Sequence, residues 1–301
     1  MTAPLPVSSI VVATRDRPGQ LRTCLESLAR LDYPRDRLEV IVVDDGGATP
    51  LEAVATPLRD VLDLRLLRQA WAGPAAARNL GAASARGELL AFTDDDCAPR
   101  PDWLARLAAR HRVRPEIAVG GRTVNALTGN PYSTAAQMII DAGYVQRNYP
   151  SSPLPFFTTN NLAVPAEGFR LLGGFNCSFF TAEDREFCAR WAEHGRSVEY
   201  EPNAVVDHRH PLTFWRFCRL YFGYGGGAFR FRREQVLRGR SVPLEPSFYL
   251  RTLPLQAVQG RSVREAAAQL ALLVPWHLAN AAGFVWHWMR SHREQPLESR
   301  G

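Results

Sequence analysis

Residues 89–97 read LLAFTDDDC: a short apolar run that stops at three consecutive aspartates. Three unpaired carboxylates cannot share an apolar core, because burying uncompensated charge is too costly. The run reads as a buried strand, with acids concentrated where it leaves the sheet. Such a cluster suits a polar turn or helix N-cap ahead of Pro99 and Pro101. It suits better a divalent cation with oxygen ligands. The second reading puts a metal where the strands of a parallel sheet end, which is where α/β sheets bind ligands.

The rest of the first half supports that sheet. Ser8–Ala13 (SSIVVA), Leu38–Val43 (LEVIVV), Leu64–Leu67 and Leu89–Thr93 read as strands. Between them, Pro18 opens a helix with Leu21, Cys24, Leu25, Leu28 and Leu31 on one face, and the Ala-rich segment Gly73–Ala85 reads as another. Strands alternating with helices imply βαβ units and a mostly parallel, Rossmann-like α/β sheet flanked by helices. After Ile117–Thr123 the alternation fades. Residues 125–160 read as a long loop with one helix near Ala135–Tyr144, and Asp184–His194 reads as a helix. Val198–Tyr200 and Val205–Val206 read as short strands. The domain organisation expected is 1–210, divided into a nucleotide-binding half (1–123) and an acceptor half (124–210), followed by a helical extension over 211–301.

That extension differs in charge from the body. It holds 13 Arg against 5 Glu and no Asp, in a chain whose net charge is +6. A basic third suggests an anionic surface, with nucleic acid and anionic lipid equally open on charge alone. Thr213–Leu237 reads as a helix broken at Gly223–Gly227. Val263–Met289 reads as an apolar helix with three tryptophans. Its polar residues Gln269, His277, Asn280 and His287 argue against a single bilayer span. They leave a helix packed on the domain, or one lying in a membrane interface, where Trp and Arg are favoured. The five cysteines are scattered, with no Cys-x-x-Cys pair, which points to a reducing compartment and away from disulfides or structural zinc. No secretory signal pattern is visible at the N-terminus.

Two strand ends carry acids, Asp44-Asp45 and Asp94-Asp95-Asp96, and a third carries Thr14-Arg15. Parallel strands end on one side, so all three face one crevice. Carboxylates there accept hydrogen bonds from a ribose diol or a base, and a metal-bound aspartate pair neutralises a diphosphate. Arg15 and Arg78 add positive charge. With no Gly-x-Gly-x-x-Gly after the first strand and no Walker loop, a dinucleotide oxidoreductase and a P-loop enzyme are disfavoured. A nucleoside diphosphate held through a cation fits what remains.

These pieces, in this order, resemble glycosyltransferase family 2, inverting nucleotide-sugar enzymes of the GT-A fold. The resemblance runs through VSSIVVATRDRPGQLRTCLESL, LEVIVVDDGG, GPAAARNLGAASARGELLAFTDDDCAP, TTNNLAVPAEGFRLLGGFN and TAEDREFCARW, over residues 7–210. It implies transfer of a sugar, from UDP by default, to a hydroxyl of a glycan or lipid-linked saccharide, as in polysaccharide and cell-envelope biosynthesis. It implies that Thr14, Arg15, Asp44, Asp45, Arg78, Asn79, Gly81, Asp94 and Asp95 lie at the nucleotide sugar, and that Asp94 and Asp96 hold Mn²⁺ or Mg²⁺. The family often has Ser after Asp-Asp-Gly; Gly47 stands there.

Glu183-Asp184 is a second acidic pair. An inverting transfer needs a base for the acceptor hydroxyl proton, and the resemblance gives that role to Asp184 with Glu183 as its neighbour. An acidic first helical turn favoured by the dipole is the plainer account. His208 and His210 follow a strand, and His208 is taken as a third metal ligand over a diphosphate contact or a structural role. Asn160 and Asn161 are placed at the acceptor, with loop capping the alternative. The expected setting is the cytoplasm, with peripheral contact at the inner face of the membrane and no nucleic-acid partner. Two further readings stand beside this one: a sugar-phosphate nucleotidyltransferase, disfavoured because ATRDRPGQ lacks a glycine-rich run, and a non-catalytic nucleic-acid-binding module using the basic tail.

Overall fold

β-Branched apolar runs form strands covered on both sides, and the runs SSIVVA and LEVIVV become adjacent parallel strands of one sheet. A computed structural model describes residues 4–148, 154–242 and 245–293. Its strands are β1 (Ser8–Thr14), β2 (Leu38–Asp45), β3 (Asp63–Gln69), β4 (Leu89–Asp94), β5 (Cys97–Pro99), β6 (Ala118–Asn125), β7 (Leu162–Pro165) and β8 (Val198–His208). Its helices are α1 (Pro18–Leu28), α2 (Glu52–Ala55), α3 (Pro74–Ala83), α4 (Trp103–Val113), α5 (Pro131–Arg147), α6 (Ala166–Leu171), α7 (Glu183–Glu193), α8 (Phe214–Leu237), α9 (Leu253–Val258) and α10 (Val263–Arg293). They form two compact units: Met1–Ala126 with Arg147–His210, and Leu127–Gln146 with Pro211–Gly301.

The first unit is built on an eight-stranded sheet in the order β3-β2-β1-β4-β7-β6-β8-β5. β3, β2, β1 and β4 run parallel; β7 reverses direction against β4, and β6 pairs parallel with β8. One face of the parallel strands presents Ile10, Val12, Val40 and Val42 to Leu21, Cys24, Leu25 and Leu28 of α1, all fully buried. The other presents Ile41 and Val43 to Ala77 of α3. Gly81 lets α3 approach closely: a Cβ there would lie 2.5 Å from Val11 Cγ1.

Two expected short strands at 198–206 are one strand, β8. Its register against β6 shifts between Gly121 and Arg122, so a bulge near Asn203 interrupts the hydrophobic pattern without ending the strand. The loop expected over 125–160 holds α5, longer than the segment foreseen and placed in the second unit. Residues 149–153 lie outside the described residues.

In the second unit α5, α8, α9 and α10 pack around Met138, Phe217, Tyr221, Leu253, Leu273 and Trp276. The break expected at Gly223–Gly227 is absent: α8 runs through it. Gly225, Gly226 and Gly227 are buried, and a Cβ on Gly225 would stand 2.1 Å from the Asn280 carbonyl oxygen of α10. These glycines permit a close helix crossing, and that packing outweighs their low helix propensity. Pro275 likewise sits inside a continuous α10.

Candidate active site

The register brings the acidic strand ends into one row. Thr14 at the end of β1 pairs with Asp44 of β2, and Ala13 pairs with Asp94 of β4. Asp95, the next residue, receives a hydrogen bond of 2.6 Å from Thr14 Oγ1. Arg17, just before α1, reaches across with Nη2 2.9 Å from Asp95 Oδ1 and Nη1 3.2 Å from Asp96 Oδ2. Burial pushes the Asp95 carboxyl up to about 7 against the pull of Arg17 and Thr14. Burial also works against the Asp96 anion, but His208 and Arg17 outweigh it and hold that carboxyl down at about 2.

β5 and β8 bring the third component. Cys97 pairs with His208 across the antiparallel edge, so the residue after β4 meets the end of β8. His208 Nε2 lies 3.3 Å from Asp96 Oδ1. Burial opposes the His208 cation, yet the Asp96 carboxylate raises the imidazole above its ordinary range; burial lowers His210. One ligand atom from each of Asp96, His208 and His210 falls within 4.8 Å of the others. One carboxylate and two imidazoles make a mixed oxygen and nitrogen donor set of the kind that binds divalent first-row metal ions. His210 joins this group, although the sequence reading favoured His208 alone. Asp94 does not: its Oδ1 accepts a 2.6 Å hydrogen bond from Arg78 Nη2.

Arg78 is the buried hinge between the two acidic centres. Its Nη1 donates to Glu183 Oε1 at 2.7 Å while Nη2 holds Asp94. Burial alone would lower its pKa, but Asp94 and Glu183 raise it. Asp184 follows Glu183 in the first turn of α7, partly open to solvent. Burial and the Glu183 charge push its carboxyl up to about 7, against Arg78 and the backbone N–H groups of Arg185 and Thr159. Ala182, which leads into α7, sits in the left-handed region at φ 68°. Strain at such a position is commonly kept where geometry serves a site.

The other expected residues divide into open and engaged. Asp45 accepts from Gln69 Nε2 at 2.8 Å and from the N–H groups of Ala72 and Gly73 at 2.9 Å. Asp44 accepts from the Gly47 N–H at 2.8 Å and pairs with Arg68. At Gly47 a Cβ would come within 2.8 Å of Asp44 Oδ1, so the departure from Ser at this position goes with a tighter loop. Asn79 is spent on the Gly174–Phe175 turn, donating to the Phe175 carbonyl and accepting from its N–H. Gly81 packs helix on sheet, as described above, and faces no cleft. Asn161 is fully buried: it accepts from Trp103 Nε1 and donates to the carbonyls of Arg122 and Ala204. Asn160 Oδ1 accepts from Thr123 and Thr158.

Sequence reasoning missed Arg17, although it lies two positions beyond Arg15 in the same ATRDRP segment. It also missed Trp71. That ring is 57% exposed, stacks on Phe180 at 5.6 Å and lies 5.4 Å beneath the Arg15 guanidinium. Its one signal was a tryptophan two residues before the Gly73-Pro74 helix start.

A Rossmann-like parallel half, an antiparallel crossover strand and an acidic cluster at the strand ends define the GT-A fold. Residues 9–173 match Glycosyl transferase family 2. The chain is 34% identical over 230 residues to the pre-mycofactocin glycosyltransferase of Mycobacterium tuberculosis, covering 73% of this chain and 46% of that protein. It thus spans about half the length of that relative. It is 26% identical over 309 residues to glycosyltransferase AglE of Haloferax volcanii, covering 98% of this chain and all of the other. A mannosyltransferase from Pyrobaculum calidifontis, solved with GDP-Man and Mn²⁺, shares the fold at TM-score 0.67 and 22% identity, over 95% of this chain and 89% of that one. S. aureus TarS with UDP-GlcNAc shares it at TM-score 0.54 and 18% identity, over 95% and 91%. The chain belongs to glycosyltransferase family 2.

Proposed function

We propose that the enzyme transfers a hexose from a nucleoside-diphosphate sugar to a hydroxyl of a glycan or lipid-linked saccharide, with inversion at the anomeric carbon. The observation that carries this reading is Arg78, whose bonds to Asp94 and Glu183 tie together the two segments that carry the chemical centres. One centre, Asp96 with His208 and His210, has the donor set for a divalent cation. The other, Asp184, is a carboxyl brought near neutrality. Mn²⁺ or Mg²⁺ held by Asp96, His208 and His210 would neutralise charge on the departing diphosphate, as a Lewis acid does. Asp94 keeps Arg78 in place and is a positioning residue here.

The chain's own groups supply the rest. Asp184 accepts the acceptor hydroxyl proton as that oxygen bonds to the anomeric carbon and the bond to the diphosphate oxygen breaks. A base with a pKa near 7 is ionised often enough to act and basic enough to take the proton. Thr14 and Arg17 fix Asp95 and Asp96 at the diphosphate side. Trp71 under Arg15 offers a face on which a base or sugar ring can stack. Asn160, with its oxygen held by two threonines, keeps its amide N–H groups for a sugar hydroxyl. UDP and GDP are the donors to test first: the TarS and P. calidifontis structures were solved with UDP-GlcNAc and GDP-Man. The cysteines among the described residues are free, which fits a cytoplasmic reaction.

A thermal-shift screen of nucleotide sugars with and without Mn²⁺ tests this reading. A metal-dependent rise with one donor supports it. Equal shifts for every nucleotide, with or without metal, would count against it.

A further inference from the structure

The second unit carries a helix whose polarity is reversed. Along α10 a seam of buried and half-buried positions runs through Gln269, Leu273, Trp276, Asn280, Gly283 and His287, spaced four and three apart, with Asn280 and His287 half-buried. Half of that seam is polar. Gln269 Nε2 reaches the Pro131 carbonyl at 3.5 Å, and Asn280 Nδ2 donates to the Trp276 carbonyl at 3.0 Å. The outward arc is apolar instead. Leu270, Val274, Leu278, Val285, Trp286 and Met289 are between 38% and 66% exposed. Its one polar residue in mid-helix, His277, directs Nδ1 to the Leu273 carbonyl of its own helix. No Asp, Glu or Arg occurs between Glu265 and Arg290, a run about 36 Å long. Beside it, Tyr132, Phe214, Leu272, Pro275 and Leu278 help line an apolar groove of about 580 Å³. In water this arrangement is unfavourable, since a soluble helix turns its polar face outward. In lipid it is the favoured one, with polar groups and small residues facing the neighbouring helix.

We propose that the second unit docks on an anionic lipid bilayer with α10 lying flat in it, its outward arc in the hydrocarbon. By length and composition alone α10 could cross a membrane. Its packing partner argues for the flat orientation. Gly225 of α8 meets Asn280, and Gly283 meets Phe222, both at close range. The uncharged part of α8 extends only from Leu220 to Phe229, about 15 Å. A crossing α10 would draw Arg219 and Arg230 into hydrocarbon, at a cost of several kcal/mol. Lying flat, α10 meets lipid and α8 stays above it. Exposed Arg216, Arg219 and Arg264 then complement anionic headgroups, and Trp286 and Trp288 sit at the depth tryptophan prefers. The inference is independent of the donor and base assignments.

Flotation of the full chain with vesicles tests it, using phosphatidylcholine alone and phosphatidylcholine mixed with phosphatidylglycerol. Recovery with the mixed vesicles should exceed that with phosphatidylcholine by ~10-fold or more. Alkaline carbonate should release the protein. The double variant Leu278→Arg/Val285→Arg, placed on the exposed arc, should stay at the bottom of the gradient while its nucleotide titration is unchanged. Trp286 and Trp288 give a second readout: lipids brominated near the headgroup should quench the protein's fluorescence more than lipids brominated at the chain end, and the double variant Trp286→Phe/Trp288→Phe should lose most of that quenching. Failure to float with either vesicle, including as a soluble dimer that covers α10 with a second copy, overturns the proposal. So does flotation of the double variant at the level of the natural sequence. Carbonate resistance with strongest quenching at the chain end would overturn the flat orientation.

Discussion

Ionising Asp184 places a second negative charge beside Glu183 at the start of α7, and two consequences of opposite kind follow. A folded-state pKa of about 7 lies above the usual aspartate value of about 3.9. The native state therefore binds this proton more tightly than the unfolded chain does. Its contribution to stability is complete below about pH 4 and is lost as pH rises through about 7. Asp184→Asn should stabilise the protein at pH 8 by about 2 kcal/mol, less than the full shift because the carboxyl is partly open to solvent, and should change nothing at pH 4. Denaturant titrations at the two pH values check this. Transfer needs the ionised form, so kcat/KM should rise with pH to a plateau above about 7. The same substitution should cut kcat by at least about 100-fold while donor binding persists. Trp71→Ala should weaken donor binding by ~1–3 kcal/mol if a base stacks there, which calorimetric titration with the nucleotide reads directly.

Elements are held together at this site by single side chains. Arg78 of α3 ties the end of β4 to the start of α7 through Asp94 and Glu183. Arg78→Met would leave two carboxylates without their cation and should destabilise the fold by about 3–5 kcal/mol, read in urea melts. Gly81→Ala would press a methyl onto Val11 and should cost ~1–3 kcal/mol without touching the acids. The parallel strands were legible as short apolar, mostly β-branched runs, α1 and α7 by their apolar faces, and α3 by its alanines. The second half was not. β8 hides behind a bulge that breaks its alternation, and β5 is three residues long. The glycines in α8 look like a break until α10 is seen packed against them. Asn79 and Asn161 look like ligand-binding amides in one dimension, yet their partners Phe175, Trp103 and Ala204 are distant in sequence.

At the scale of the whole molecule, the site draws on three distant parts of the sequence that the sheet order brings together. Acids at the ends of β2 and β4, and Thr14 at the end of β1, could be placed from the sequence, since parallel strands must end on one side. The meeting of Asp96 with His208 and His210 could not, because it depends on β5 pairing with β8 at the sheet's far edge. The same holds for Arg17, whose role appears only once the start of α1 is set beside Asp95 and Asp96. The two units also differ in what they conceal: the first buries its acids around Arg78, whereas the second exposes its apolar arc. The central claim is that Asp96, His208 and His210 hold a divalent cation for a nucleoside-diphosphate donor. Calorimetric titration with UDP and GDP, with and without Mn²⁺, tests it most directly, using the natural sequence and Asp96→Ala. The account predicts that Mn²⁺ tightens binding of one nucleotide by about tenfold or more and that Asp96→Ala abolishes that gain. Affinity that is the same with and without metal, in both proteins, would contradict it.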